Sequence, residues 1–180
     1  TDWEEPWSMD RWEIINHIIK RYGFESYLEI GVSNPRWCFN MVSCREKDGV
    51  DPGLEFDNNP ANYKMTSDEF FESIPKDKKW DVIFIDGLHL TDNGFVIMHD
   101  CNPPNVWRQR ENYSIDGHNY PWNGTTWKAW YALRITRPDL TMGVIDTDYG
   151  VGIIRSGSQT LAPIDNTFYD YNILQDNKVE

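Results

Sequence analysis

Two short apolar runs that each end in an aspartate are the strongest pattern in the chain. They are residues 80–86, WDVIFID, and residues 95–100, FVIMHD. Nearly continuous apolar sequence of this length is typical of parallel strands that are buried on both faces. A similar run at 27–32 and shorter extended pieces at 49–52 and 63–65 precede them. Together these segments predict a largely parallel sheet.

Helical patterns separate the predicted strands. Apolar residues recur at helical spacing after Asp10, which can cap a first helix that Gly23 ends, and a second capping box begins at Thr66. Further helices are expected over residues 35–43 and from Thr125 onward. Strands that alternate with helices predict a doubly wound α/β sheet.

The last structured part of the sequence predicts a different kind of connection. Residues 142–146 and 151–155 are joined by so short a turn that the two strands must be antiparallel. No repeat, low-complexity tract or long linker divides the sequence. We therefore expect a single domain over residues 1–180, with a core of about 9–157 and a tail, 158–180, that docks onto it.

One connection is too short for a regular crossover. Only residues 87–94 separate Asp86 from Phe95, whereas a crossover between parallel strands needs about a dozen residues or more. Either these two strands form a hairpin, or a crossover segment is missing close to Leu90–Thr91. Because both strands have the pattern of burial on two faces, we favour the second interpretation and expect a chain break there.

Composition and charge exclude several classes of function. The 17 basic and 29 acidic residues give a net charge of −12, which repels phosphate backbones. No apolar run approaches the roughly 18 residues of a membrane span, and the first residues are acidic, unlike a secretory signal. The three cysteines have no CxxC or zinc-binding spacing. We expect a cytoplasmic protein that binds neither nucleic acid nor a membrane.

The carboxyl ends of the predicted strands are the expected ligand site, as in other open α/β sheets. There Gly31 lets a ligand approach the backbone, and Asp51 can accept hydrogen bonds from two ribose hydroxyls. The sequence contains neither GxGxxG nor a P-loop. The pattern therefore favours a nucleoside whose tail is not a pyrophosphate, and the acidic rim suits a cofactor that carries positive charge.

Five segments in this order resemble the motifs of class I S-adenosylmethionine-dependent methyltransferases, and more narrowly a branch of small bacterial and phage-type enzymes. They are residues 28–32 (LEIGV), 49–52 (GVDP), 65–71 (MTSDEFF), 81–89 (DVIFIDGLH) and 96–104 (VIMHDCNPP). Residues 122–130 and the closing hairpin are also similar to that branch. The resemblance implies a seven-stranded Rossmann-like sheet and methyl transfer to a small-molecule acceptor, an oxygen nucleophile on a sugar or related metabolite.

The resemblance also implies a cofactor site along the strand ends. It places the methionine part of S-adenosylmethionine beside the first strand, the ribose at Asp51, the adenine edge at the start of the helix after Thr66, and the ammonium group or a metal at Asp86. The implied cofactor-binding residues are Glu29, Gly31, Val32, Ser33, Asp51, Ser67, Asp68 and Asp86.

Methyl transfer to a hydroxyl requires in-line positioning and a group that receives the proton. His89, in a loop past the strand end, and Asp100 are the expected catalytic residues, whereas His99 points to the other face of its strand and suits a supporting role. Some relatives within the fold bind Mg²⁺ here. Asp86 and Asp100 match two of the ligand positions, but Cys101 stands at the third, and a thiol is a poor Mg²⁺ ligand.

Two alternatives to this enzyme stay open. One is a non-catalytic, methyltransferase-like binding module, and the other is a nucleotide-dependent oxidoreductase, which the missing phosphate-binding loop disfavours. Four tryptophans downstream of the last buried strand are interpreted either as a stacking wall for an acceptor or as core. They are Trp107, Trp122, Trp127 and Trp130. The sequence does not indicate an oligomeric state.

Overall fold

The computed structural model describes residues 9–54, 58–85, 94–110, 114–115, 118–119, 121–161 and 170–176. Four helices lie within these ranges: α1 (Arg11–Tyr22), α2 (Ser67–Ser73), α3 (Thr126–Thr136) and α4 (Tyr171–Asp176). The strands are β1 (Ser26–Ile30), β2 (Glu46–Val50), β3 (Val82–Ile85), β4 (Phe95–Met98), β5 (Ser114–Ile115), β6 (His118–Asn119), β7 (Leu140–Ile145) and β8 (Val151–Ser156).

A mixed six-stranded sheet, in the order β2-β1-β3-β4-β8-β7, organises the molecule. The first four strands in this order pair in parallel. Strand β8 runs antiparallel to β4, with Met98 beside Gly152, and β7 runs antiparallel to β8. The turn between β7 and β8 therefore lies at the carboxyl end of β4, next to the ends of the other parallel strands. Strands β5 and β6 form a separate two-stranded sheet.

Helices cover both faces of the sheet, as the apolar runs predict. On one face, four isoleucines of α1 pack against Tyr27, Val82 and Ile97. On the other face, Phe70 of α2 and Trp130 of α3 belong to a cluster with the opposite side chains of the same strands. The residues of β3 and β4 are all buried, which is the burial expected for central parallel strands.

The predicted helix caps are confirmed. The backbone N–H of Asp10 donates to the Glu13 carboxylate at 2.9 Å at the start of α1, and Gly23 ends that helix with a φ of 68°. At the start of α2, Thr66 and Glu69 bond reciprocally, as in a capping box. These short-range signals determine where α1 and α2 begin.

The predicted helix over residues 35–43 is wrong. Residues 35–41 form consecutive turns, with backbone hydrogen bonds from Trp37 to Asn34, from Asn40 to Pro35 and from both Met41 and Val42 to Cys38. Of these four bonds, only the one from Val42 has the four-residue span of an α-helix, and the others span three or five residues. The segment therefore stays irregular although Pro35 suits a first helical turn.

The predicted third strand at residues 63–65 is reduced to a single bridge, so the main sheet has six described strands where seven are expected. Tyr63 donates to the Gly49 carbonyl and accepts from Asp51 N–H, each at 3.0 Å. The capping box of α2 begins at Thr66, only three residues later. Because the chain must enter the helix there, the pairing with β2 cannot extend.

Strands β3 and β4 are parallel, with Val82 beside Phe95, so the hairpin alternative for this connection is excluded. The residues that join them, 86–93, and with them the chain break expected near Leu90–Thr91, lie outside the described part of the chain. Within the described ranges, none of the helices has the length and apolar character needed to cross a membrane.

Among the described side chains of the last described helix, Tyr171 contacts both α3 and the loop after β4. The Tyr171 hydroxyl donates to the Pro103 carbonyl at 2.7 Å, and its ring meets Trp127 edge-on with centroids 6.4 Å apart. Tyr171 thereby connects α4 with α3 and with the loop after β4.

Candidate functional site

The edge of the sheet where the parallel strands end has an unusual backbone. Four described residues other than glycine have a positive φ, and all four lie at this edge: Ser33, Asp100, Asp148 and Tyr149. Such conformations cost on the order of 1–3 kcal/mol each and accumulate at functional sites. The concentration of strained residues here marks this edge as the candidate site.

Asp51 joins the loops that follow β1 and β2. Its carboxylate is only 7% exposed, and it accepts the Ser33 N–H at 2.7 Å on one oxygen and the Gly53 N–H at 2.6 Å on the other. Beside it, Gly31 has a φ of 84° and donates its N–H to the Val50 carbonyl at 2.8 Å. Each carboxylate oxygen can accept a second hydrogen bond. Asp51 can therefore hold these two loops and bind a hydroxyl-bearing ligand at the same time.

Glu29 lies within β1, one residue before the strand ends, and its side chain is 1% exposed. The Tyr27 hydroxyl donates to the Glu29 carboxylate at 2.6 Å. Burial raises the pKa of Glu29 to about 7 and outweighs the lowering effect of that hydrogen bond. The side chain predicted to line the methionine part of a cofactor is thus a buried acid that changes its charge near neutral pH.

The other predicted cofactor residues divide by exposure. Val32 is buried among the residues that pack against α1, whereas Ser67 and Asp68 are exposed in the first turn of α2. The contact between Tyr63 and Asp51 brings the start of that helix next to the end of β2. Asp86 and His89 lie outside the described residues.

A network of charged groups ties α1 to the end of β4 and to the β7–β8 turn. Arg11 donates two hydrogen bonds to Asp148, at 2.6 and 3.1 Å, although the two residues are 137 positions apart in the sequence. His99 lies between Asp148 and Asp100, with its ring nitrogens 3.3 and 3.2 Å from the two carboxylates. These contacts fix the position of the β7–β8 turn.

The charge of His99 follows from these partners. Burial by itself lowers the pKa of His99, but Asp100 and Asp148 outweigh it and raise that pKa to about 9. Burial also opposes ionisation of Asp148, yet His99 and Arg11 hold the pKa of Asp148 well below its usual range. The two carboxylates therefore favour the charged form of His99, while the Arg11 guanidinium, whose Nη1 lies 3.2 Å from His99 Nδ1, opposes it.

Asn123 is a site residue that the sequence interpretation missed. Its side-chain amide donates to Asp100 at 2.6 Å, and its backbone N–H donates to the Arg108 carbonyl at 2.9 Å. Asn123 is 3% exposed and precedes Gly124, which has a φ of 68°. A buried Asn-Gly pair just before a helix was the available signal. Asn123 orients the Asp100 carboxylate.

Arg11 was also missed, although the sequence contained a signal for it. A cation in the first turn of a helix is unfavourable next to the positive end of the helix dipole. Its position there therefore indicates a tertiary partner, and the structure supplies Asp148. The partner is 137 residues away, so the sequence does not identify it.

The four tryptophans split evenly between the core and the surface. Trp127 and Trp130 of α3 are buried, so core packing explains them. Trp107 and Trp122 are 50% and 41% exposed, and Trp122 donates its indole N–H to the Arg110 carbonyl at 2.8 Å. Only these two tryptophans can contribute to a stacking wall for an acceptor.

The expected Mg²⁺ site gains no support from the part of the chain that the structure describes. No group of three or more His, Cys, Asp and Glu side chains there could hold a metal ion. One oxygen of Asp100 accepts the Asn123 amide and faces His99. Asp86, the other predicted ligand, is not among these residues.

The fold resembles those of a number of solved structures, among them the following three. A putative caffeoyl-CoA O-methyltransferase from Staphylococcus aureus has a TM-score of 0.54 and 17% identity, over 83% of this chain and 85% of that one. A putative O-methyltransferase from Klebsiella pneumoniae has a TM-score of 0.54 and 12% identity, over 86% and 83%. The SAH-bound methyltransferase PaMTH1 from Podospora anserina has a TM-score of 0.52 and 13% identity, over 81% and 77%. No protein-family model and no curated protein matches the chain.

Proposed function

We propose that this chain, which has the fold of class I S-adenosylmethionine-dependent methyltransferases, transfers a methyl group from S-adenosylmethionine to a small-molecule acceptor. The finer proposal is an oxygen nucleophile on a sugar or related metabolite. The observation that carries the proposal is the junction of Asp51 with Ser33 at the carboxyl edge of the parallel strands. It places a buried carboxylate beside the open turn at Gly31, where such folds bind a nucleoside.

The residues present at this edge suit the cofactor. Asp51 has lone pairs left for ribose hydroxyls, Gly31 and Ser33 give the ligand access to the backbone, and Glu29 supplies a second acid close to the strand end. Ser67, Asp68, Val32 and Asp86 complete the proposed cofactor set. When bound, the cofactor supplies a methyl group on a cationic sulfonium, so most of the work left to the protein is positioning.

Asp100 and His89 are the proposed catalytic residues for removing the hydroxyl proton of the acceptor. Asp100 supports this role because its carboxylate lies at the carboxyl end of β4 and is held by Asn123. His99 is unsuited to act as the base, because a base must be unprotonated and the pKa of His99 is raised to about 9.

A non-catalytic binding module is the second candidate. It is favoured by the fact that both oxygens of Asp51 already accept backbone N–H groups, since a purely structural carboxylate has the same contacts. The two candidates differ in whether a methyl group is transferred, while both allow the cofactor to bind.

Calorimetric titration with S-adenosylmethionine and S-adenosylhomocysteine tests the proposal. Asp51→Asn keeps the shape of the side chain but removes its charge and one acceptor, and it should weaken cofactor binding by about 1–3 kcal/mol. The control is Asp139→Asn, which alters an exposed ion pair with Arg137 and should leave binding unchanged. Thermal unfolding of both variants separates lost binding from lost folding.

The outcomes separate the candidates. Cofactor binding together with transfer of labelled methyl groups to a panel of sugars and hydroxylated metabolites supports the enzyme. Binding without transfer to any panel member favours the binding module. If neither form of the cofactor binds to the folded wild-type protein, both candidates are wrong.

A further inference from the structure

An arginine and an aromatic ring stack at the candidate site, next to the end of β4. The Arg108 guanidinium lies 4.9 Å from the centre of the Tyr149 ring, and the rings of His99 and Tyr149 meet edge-on with centres 6.4 Å apart. Tyr149 is 43% exposed, and Arg108 is half-buried. The stack therefore forms part of the accessible wall beside Asp100.

Two further contacts fix this stack relative to Asp100. Asn123 bonds the Arg108 carbonyl through its backbone and the Asp100 carboxylate through its side chain. On the other side, the Asn102 N–H donates to the Tyr149 carbonyl at 2.8 Å. Arg108 and Tyr149 are thus positioned by neighbours of the proposed catalytic carboxylate.

The neighbouring arginine differs from Arg108 in how its donors are used. Arg110 lies over Trp107 at 5.1 Å, and it donates hydrogen bonds to the carbonyls of Trp107 and Pro121. The Arg108 side chain makes no hydrogen bond or ion pair with any described residue. A guanidinium stacked on a ring keeps its N–H edge available in the plane, where it can bind a carboxylate or phosphate with two parallel hydrogen bonds. Arg108 therefore has the donors that an anion requires.

The charge of Arg108 is not paired within the described part of the chain, although the whole chain carries −12. Among the charged groups described around the β7–β8 turn and the end of β4, Arg11 and His99 lie against Asp148 and Asp100, and Asp146 accepts a hydrogen bond from Asn102. Arg11 and His99 already compensate Asp148 and Asp100. The charge of Arg108 is left for a ligand.

We propose that Arg108, supported by the ring of Tyr149, is a specificity-determining residue that binds an anionic group, a carboxylate or phosphate, on the acceptor molecule. This inference rests on the proposed function, because it treats the wall beside Asp100 as the acceptor side of the site. It narrows the acceptor class from hydroxylated metabolites in general to those that carry a negative charge.

Calorimetric or NMR titration with small probes tests the proposal directly, in the presence of S-adenosylhomocysteine. Benzoate and phenyl phosphate represent the two anionic groups, and benzyl alcohol is the neutral control of similar shape. Both anions are expected to bind at millimolar concentration, and the alcohol about tenfold more weakly or not at all. A preference for one anion identifies whether the acceptor carries a carboxylate or a phosphate.

Variants assign the binding to the arginine. Arg108→Gln should reduce anion affinity about tenfold or more, whereas Arg108→Lys, which keeps the charge but not the planar fork, should retain part of it. Arg155→Gln is the matched control. Arg155 pairs with Phe95 at the amino end of β4, is exposed, and makes no ion pair with the described residues. Its substitution should leave anion binding unchanged.

Wild-type protein that binds neither anion at millimolar concentration overturns the proposal, and so does an Arg108→Gln variant with wild-type affinity. Equal losses in Arg108→Gln and Arg155→Gln also overturn it, because they indicate non-specific charge attraction. Titration with S-adenosylhomocysteine alone reports on the proposed function. If the wild type binds the anions but not the cofactor, and Arg108→Gln loses the anion binding, the anion site is supported and the proposed methyltransferase function is refuted.

Discussion

Replacing the buried acid Glu29 with glutamine should stabilise the protein, and the gain should depend on pH. The pKa of Glu29 is about 7 in the folded protein against an ordinary value of 4.5, so the unfolded chain loses this proton first as the pH rises. The contribution that protonated Glu29 makes to the stability of the wild type is therefore complete below pH 4.5 and is lost as the pH rises through 7. The gap between the two values corresponds to about 3 kcal/mol above pH 7.

Glutamine mimics the neutral form of Glu29, since its carbonyl oxygen can still accept the hydrogen bond from Tyr27. Glu29→Gln should match the wild type within about 0.5 kcal/mol at pH 4.5 and exceed it by about 3 kcal/mol at pH 8. Urea unfolding monitored by circular dichroism at several pH values measures both differences. The difference of about 3 kcal/mol needs no reduction for screening by solvent, because the Glu29 side chain is almost completely removed from water.

The matched control for this experiment is Glu25→Gln. Glu25 pairs with Arg45 on the surface, at 2.9 Å and with both side chains largely exposed. Exposed ion pairs contribute little to stability, so the variant should differ from the wild type by less than about 1 kcal/mol at both pH values. An equal effect of Glu29→Gln at pH 4.5 and pH 8 would show that Glu29 ionises normally, and the reasoning from burial would fail.

Three further predictions concern stability. The raised pKa of His99 stabilises the fold by about 3 kcal/mol below pH 6.5, and this contribution should disappear as the pH rises through 9. In urea unfolding, the stability of His99→Gln should therefore fall less than that of the wild type over this pH range, and an equal fall would contradict the prediction. Gly150→Ala should destabilise the protein by more than about 2 kcal/mol in thermal unfolding, because its Cβ would lie 2.5 Å from Asn102 N and its φ is 87°. Gly143→Ala is the control and should be nearly neutral, since a Cβ there has open space around it. Trp127→Ala should cost about 3–5 kcal/mol in the same assay, since the ring is fully buried, and a loss under 1 kcal/mol would refute its core role.

Local sequence was sufficient wherever an element depends on a few neighbouring residues. The capping boxes at Asp10 and Thr66 and the αL glycine at Gly23 were predicted because the groups that satisfy a helix end lie within three or four positions of it. The same local view failed at residues 35–43. There a favourable proline was outweighed by the way the segment packs, with Cys38 and Phe39 buried against the sheet.

For the candidate site, the sequence indicated the acids at the strand ends but not how their side chains are paired. Asp100 was predicted from the apolar strand that precedes it, and Asp51 from a short extended segment that ends in an acid. The partner of Asp100, Asn123, lies 23 residues away, and the partner of Arg11 lies 137 residues away. Contacts at such separations depend on the order of strands in the sheet, which a single sequence specifies only indirectly.

The sequence by itself determined the parallel strands, their burial on both faces and the acids at their ends, because the period and length of apolar runs are local properties of the chain. Only the tertiary structure decided the charge states. The pKa of Glu29 is raised to about 7 because folding removes its side chain from water, and the pKa of His99 is raised because β4 and the β7–β8 turn place Asp100 and Asp148 beside it. Burial and the distance between charges set a pKa, and both exist only once distant segments have packed together.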